Sequence, residues 1–247
     1  MIGFTGRLIL LDIEGTVAPL AFVHEVLFPF ARREVADFIS RHRMSPEVRK
    51  ALEQIALDSG PVMAVSADRA PVTADPETET GRAAWVARIQ ALIDADAKQT
   101  GLKWLQGLVW QEGYHSGRIR TPLFEDAAEA LRAWHQEGMR LRIYSSGSVA
   151  AQRLFFGHAA CGDLTGCLEA YHDTTTGPKR DAASYRAIAE ASGLPAGEIL
   201  FLSDVLEELD AALEAGCRTC WVLRPGNKPG RTDRHPAIGS FAEIRLS

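Results

Sequence analysis

The spacing of hydrophobic positions changes character twice along the chain. Leu8-Ile9-Leu10-Leu11 is an unbroken apolar run that stops at Asp12, the pattern of a strand buried on both faces of a parallel sheet. For about a hundred residues after Val17 only helical spacing recurs. Phe28-Pro29 opens a helix whose apolar face holds Phe30, Val35, Phe38 and Ile39. Ser45 caps a second, with Pro46 in its first turn and Val48, Leu52, Ile55 and Ala56 behind. Residues 59–80, rich in Pro, Asp, Thr and Ser, read as a loop. A helix with Trp85, Ile89, Leu92 and Ile93 on one side is expected to stop near Gly101. A shorter one then holds Trp104, Leu105, Leu108 and Val109.

From Thr121 strands and helices alternate. The pattern predicts a helix over Glu125–Gln136, a strand over Arg140–Tyr144 and a helix to Phe156. A short apolar stretch near Cys167–Tyr171 is followed by a helix from Asp181 to Ser192, closed by Gly193. Ile199–Leu202 forms a strand ending at Ser203-Asp204, a helix runs to Gly216, and a last strand carries Trp221 and Val222. Such alternation indicates an α/β fold, a Rossmann-like parallel sheet core with an inserted all-helical cap domain. The core is expected over residues 1–20 and 118–247 and the cap over 21–117. Five or six strands are too few for an eightfold barrel. A block inserted after the first strand would sit over the carboxyl edge of the sheet. Its connections, near Val17 to Phe22 and Ser116 to Thr121, would serve as hinges, with Gly113 and Gly117 compatible with bending.

A formal net charge of −5 argues against nucleic acid or an anionic membrane as partner. No run approaches the length of a membrane span and the N-terminus lacks a signal-peptide pattern, so a cytoplasmic protein is expected. Cys217-Arg-Thr-Cys220 has zinc-like spacing but overlaps an alternating strand pattern that would face the two thiols apart. With Cys161 and Cys167, the cysteines therefore read as small side chains rather than as a metal or redox site.

Three strand ends carry the candidate chemistry: Asp12 with Glu14, Ser145-Ser146, and Asp204, with Lys179 arriving from a loop. Ligands of open α/β sheets collect at the carboxyl ends of strands, and adjacent strand ends lie about 5 Å apart. Three carboxylates there, Asp12, Glu14 and Asp204, would repel one another unless a hard divalent cation, best Mg²⁺, bound among them. The Ser145 hydroxyl, the amides of Ser146 and Gly147 and the charge of Lys179 suit phosphate oxygens. Glu207 and Glu208 follow Asp204 at a helix start, where acids favour the macrodipole, and read as structural or as support behind the residues that contact a ligand. His24, His115, His158 and His172 show no ligand spacing, and Trp110 to Tyr114 read as packing at the insertion's return.

Asp12-Ile13-Glu14-Gly15-Thr16, a strand followed by Ser, then Lys, then a strand ending in an acid, is similar to the haloacid dehalogenase-like phosphohydrolases. Leu27-Phe28-Pro29, Tyr144-Ser145-Ser146-Gly147-Ser148, Phe155-Phe156-Gly157-His158, Phe201-Leu202-Ser203-Asp204-Val205 and Val222-Leu223-Arg224-Pro225-Gly226-Asn227 resemble the enolase-phosphatase, or acireductone synthase, family. The resemblance spans nearly the whole chain and weakens over 59–80. It implies Mg²⁺ near Asp12, the Glu14 main chain and Asp204, and substrate held by Ser145, Ser146 and Lys179. It further implies a monomer that enolises 2,3-diketo-5-methylthiopentyl-1-phosphate and dephosphorylates it to acireductone in methionine salvage. Asp12 would attack phosphorus to form an aspartyl-phosphate, and Glu14 would protonate the leaving oxygen and then activate water, with Lys179 completing the catalytic set. Val17 departs from the Thr often found after Gly-Thr and removes a hydroxyl near the site.

Other readings are a sugar-phosphate phosphatase or phosphomutase of the same superfamily, a dehalogenase, which needs neither metal nor the acid at Glu14, and a catalytically silent small-ligand binder.

Overall fold

A computed structural model describes residues 1–58 and 75–247, so the expected 59–80 loop lies largely outside the described residues. The chain divides into two compact units, one of Met1–Phe22 with Arg120–Ser247 and one of Val23–Ile119. The first opens with β1 (Ile2–Phe4) and β2 (Leu8–Leu11). The second follows, with α1 (Phe28–His42), α2 (Pro46–Asp58), α3 (Glu79–Asp94) and α4 (Thr100–His115). The first then resumes with α5 (Glu125–Gln136), β3 (Arg140–Tyr144), α6 (Val149–Gly157), β4 (Ala170–His172), α7 (Ala182–Ser192), β5 (Ile199–Ser203), α8 (Leu206–Glu214), β6 (Arg218–Val222), β7 (Ala237–Ile238) and β8 (Ile244–Leu246).

The main sheet is parallel throughout, in the order β4-β3-β2-β5-β6-β7, and β1 pairs with β8 in a separate two-stranded sheet. All four residues of β2 are fully buried, as its unbroken apolar run requires. Removing each such side chain from water contributes about 1.5–3 kcal/mol. On α5 the buried face is Ala127, Ala128, Leu131 and Trp134, a helical stripe. On α7 the Asp181 side chain accepts from the Ala183 amide and Gly193 closes the helix in the left-handed region.

The unit boundaries fall slightly beyond positions 20 and 118. Phe22 stays with the first unit because its ring packs edge-on against Phe155, 5.9 Å between centroids. Ile119 stays with the second because its amide donates to Gly113 O at 3.0 Å. β6 is not the last strand. β7 and β8 are too short, at two and three residues, to show a period in sequence.

Two glycines of the second unit act differently from expectation. Gly101 lies inside α4, which is as long as α3, whereas α3 ends at Asp94. A Cβ on Gly101 would collide with the Ile55 amide nitrogen and lie 2.8 Å from Ala51 O, so this glycine is where α4 and α2 cross in close contact. Gly113 likewise sits within α4, where a Cβ would meet Ile119 Cδ1 at 2.6 Å and Phe30 Cε1 at 2.7 Å; it is a packing position rather than a hinge. Gly101→Ala is therefore expected to destabilise this unit by about 1–3 kcal/mol through overpacking. Gly107→Ala, whose Cβ meets no described atom within 4 Å, should be neutral or stabilising by up to about 1 kcal/mol. Urea midpoints of the two variants measure the contrast.

Candidate active site

Strand register builds the site. Leu11 of β2 lies level with Ile143 of β3 and with Leu202 of β5. Asp12, Tyr144-Ser145 and Ser203-Asp204 therefore leave three adjacent strands at one end of the sheet. Asp12 is buried, and its amide continues the ladder to Leu202 O at 2.9 Å.

Lys179 arrives from the loop between β4 and α7. Its Nζ lies 2.5 Å from Asp12 Oδ1 and 2.6 Å from Glu208 Oε2. The Ser203 hydroxyl donates to the same Glu208 oxygen at 3.1 Å. Burial alone would push the Lys179 ammonium down, but Asp12 and Glu208 outweigh it and hold the group above its ordinary value. One ammonium between two buried carboxylates leaves a negative charge uncompensated. Burial, reinforced by the charge of Asp12, accordingly lifts Glu208 to about 7 despite its lysine partner. The same two causes lift Asp204 to about 7 and raise Glu14.

Asp204 lies against the loop after β2. Gly15 has φ 74°, and a Cβ there would stand 2.5 Å from Asp204 Oδ2 and 3.0 Å from Asn227 Oδ1, so only glycine admits this approach. Asp204 Oδ1 and Asn227 Oδ1 are both buried without a hydrogen-bond partner. Unpaired buried oxygen acceptors grouped in one place suit a hard cation. The Glu14 carboxylate turns elsewhere and accepts from the Ser145 hydroxyl at 3.5 Å. Among the described residues no three His, Cys, Asp or Glu side chains converge as a ready-made metal cluster.

Ser145 is buried and Ser146 is exposed. The Gly147 amide already donates to Ser145 Oγ at 3.2 Å, and α6 begins only at Val149, capped by the Ser148 hydroxyl. The structure thus joins Asp12 with Lys179 and Glu14 with Ser145, and sets Asp204 beside Gly15.

Three residues hold more of the site than their sequence spacing indicates. Glu208, expected to favour a helix end or to support the site from behind, is the second anion on Lys179, four residues after Asp204. Asn227 donates to Gly15 O at 2.9 Å and to Val222 O at 3.1 Å. Arg224 donates to Thr16 O at 3.2 Å and to Asp126 Oδ1 at 2.9 Å, with its guanidinium between the rings of Phe124 and Phe241. Successive carbonyls of the Asp12 loop are held from behind by these two side chains. The four cysteines are free thiols, and burial pushes Cys217 up to about 11 and Cys220 to about 12, away from the thiolate a metal would need.

A parallel sheet with a buried aspartate closing a central strand, a lysine upon it and a further acid at the neighbouring strand end defines a haloacid dehalogenase-like hydrolase, and the family model of that description matches residues 7–216. Enolase-phosphatase E1 of Sorangium cellulosum is 44% identical over 244 residues, 99% of each chain. Its counterpart in Azotobacter vinelandii is 46% identical over 238 residues, 96% of each. The crystal structure of the Unknown transcript 4 protein of Saccharomyces cerevisiae shares 34% identity and superimposes with a TM-score of 0.77, covering 97% of this chain and all of that one. The chain belongs to the enolase-phosphatase family of the haloacid dehalogenase-like hydrolases and is a phosphatase.

Proposed function

We propose that this phosphatase converts 2,3-diketo-5-methylthiopentyl-1-phosphate to acireductone, 1,2-dihydroxy-3-keto-5-methylthiopentene, and phosphate in methionine salvage, with Asp12 as nucleophile. The single observation that carries the assignment of roles is the Asp12–Lys179–Glu208 triad, 2.5 and 2.6 Å across its two contacts. It keeps a buried carboxylate beside a fixed ammonium, where a phosphate ester can be both bound and attacked. Asp12 Oδ attacks phosphorus and the ester oxygen leaves, forming an aspartyl-phosphate. Glu14, whose carboxylate accepts from the Ser145 hydroxyl and is raised by burial and by Asp12, donates the proton to that oxygen and then accepts one from the water that cleaves the intermediate. Lys179 binds the phosphoryl oxygens with Ser145 and Ser146 beside it, and the Gly147 amide orients the Ser145 hydroxyl to which it donates.

Asp12, the Glu14 main-chain carbonyl and Asp204 would hold Mg²⁺. The fit rests on the unpaired Asp204 Oδ1 and on the Gly15 approach, which a Cβ would fill. When bound, the ion supplies charge for the phosphoryl oxygens and polarises the carbonyl during enolisation. Small phosphate esters are the partners of this reading, not nucleic acid or membrane, and the enzyme acts as a cytoplasmic monomer. No helix among the described residues is long and apolar enough to cross a membrane.

An absorbance assay with the diketo phosphate tests the reading. Enediol absorbance and free phosphate should rise together and stop on chelation. Phosphate release only from sugar phosphates would replace it with the generic phosphatase, and transfer to a second hydroxyl with the mutase.

The metal assignment has its own pH signature. Asp204 and Glu208 rise from ordinary carboxylate values to about 7 in the folded, metal-free chain. The folded state then binds more protons than the unfolded state across that interval, so stability is fullest below the unfolded values and falls as pH rises toward 8. Mg²⁺ binds the ionised form, so its stabilisation should grow over the same interval. Urea unfolding in chelator and in Mg²⁺ at pH 5 and pH 8 measures both slopes. Equal stabilisation by Mg²⁺ at the two pH values would remove Asp204 from the metal set.

A further inference from the structure

Three consecutive peptide carbonyls lead into Lys179, and each is held by a different buried hydroxyl. Tyr144 Oη donates to Gly177 O at 2.8 Å, Ser184 Oγ to Pro178 O at 2.8 Å, and Tyr185 Oη to Lys179 O at 2.7 Å. The donors come from two elements: Tyr144 from the end of β3, immediately before Ser145, and Ser184 with Tyr185 from the first turn of α7. All three are buried, and the two phenol rings meet edge-on at 5.5 Å between centroids, with Phe201 of β5 against Tyr185 at 5.1 Å. Gly177 has φ 143°, and a Cβ on it would run into Ser184 Oγ, so the loop is drawn onto α7 at a point only glycine allows. The Lys179 ammonium lies 5.8 Å from the centre of the Tyr144 ring, within cation–π range.

A lysine stem has four rotatable bonds and loses about 2 kcal/mol of freedom on fixing. An ammonium held between two carboxylates defines only one end of it. The other end is the backbone of a loop whose own main-chain bonds are turn bonds, Asp181 N–H to Pro178 O at 3.1 Å among them, and without the phenols the Gly177 and Lys179 carbonyls would leave that end loose. The phenols add no charge and reach no candidate reacting group except through this loop and the Tyr144 ring face.

We propose that Tyr144, Ser184 and Tyr185 are positioning residues that act through Lys179, fixing its backbone so that the ammonium meets the phosphate oxygens of the bound ester. The inference rests on the phosphatase reading given above. Lys179 opposes the phosphate both in the ground state and during transfer, so loosening it weakens phosphate binding more than it slows turnover.

Tyr185→Phe, and separately Tyr144→Phe, should raise KM for the diketo phosphate and the dissociation constant of inorganic phosphate by roughly three- to tenfold each, the worth of one hydrogen bond. Turnover at saturation should change about twofold or less, and Mg²⁺ affinity should stay at the wild-type value. Tyr171→Phe on β4 is the control: its hydroxyl is buried with no partner, and phosphate affinity should not move. Ser184→Ala repeats the measurement should either tyrosine variant fail to fold. Variants that retain wild-type KM and phosphate affinity overturn the proposal. So does parallel loss of Mg²⁺ and phosphate affinity, which would mark general loosening. Calorimetry with inorganic phosphate decides the matter even if the wild-type chain does not turn over the diketo phosphate, an outcome that would count against the substrate assignment alone.

Discussion

Asp12→Asn will release phosphate from no ester at a rate near that of the wild type; the expected fall in turnover is on the order of 10⁴-fold or more, the cost of removing a nucleophile that acts as part of a unit. The amide keeps the shape of the carboxylate and can still accept from Lys179, 2.5 Å away, so the folded structure should survive. It should also relieve strain of another kind. The charge of Asp12 is the second cause, after burial, of the raised values of Glu14, Asp204 and Glu208. With that charge gone, Lys179 serves Glu208 alone and the remaining acids move back toward ordinary values. The folded chain then binds fewer surplus protons above pH 5, and its metal-free stability should decline less steeply between pH 5 and pH 8 than that of the wild type. Stopped phosphate release with a flattened pH profile would place Asp12 at the centre of the charge cluster and of the chemistry. Retained turnover would assign the nucleophile elsewhere.

The parts of the fold legible in sequence are those with a strong local cause. β2 is four apolar residues ending in an acid, and both edges of α5, β3 and α7 follow from periodicity, Asp181 and Gly193. Gly101 misled because a glycine in a helical pattern usually marks an end, whereas here a crossing with α2 demands it. The π-helical turn Val23–Leu27 before α1 leaves no periodic signal. At the site, residue types at strand ends identified Asp12, Glu14, Ser145, Lys179 and Asp204 as candidates. The structure adds what spacing does not encode, which is direction: Glu14 toward Ser145, Lys179 toward Glu208 as well as Asp12. Tyr144, Ser184 and Tyr185 are ordinary core residues by pattern, and only the carbonyls they meet distinguish them.

Lys179→Met carries the second large effect and separates binding from stability. Methionine fills most of the stem's volume but leaves Asp12 and Glu208 facing each other without the ammonium between them. Removing one partner of a buried ion pair costs about 3–5 kcal/mol when the orphaned group must stay charged. Here the cost has an outlet, because Glu208 already sits at about 7 in the wild type and rises further once its cation is gone. The variant should therefore lose least near pH 5, where Glu208 is protonated and only buried Asp12 is left without its counterion, and lose several kcal/mol more by pH 8, where the folded state must either ionise Glu208 or hold a proton against the solvent. The kcat/KM for phosphate release should fall on the order of 10³-fold at every pH, chiefly through weaker binding of the ester, since protonating Glu208 supplies no positive charge to the phosphoryl oxygens. Urea unfolding at the two pH values, together with phosphate release at pH 6 and pH 8, tests both halves. A variant equally destabilised at pH 5 and pH 8 would mean that Glu208 is not a group whose charge the ammonium stabilises.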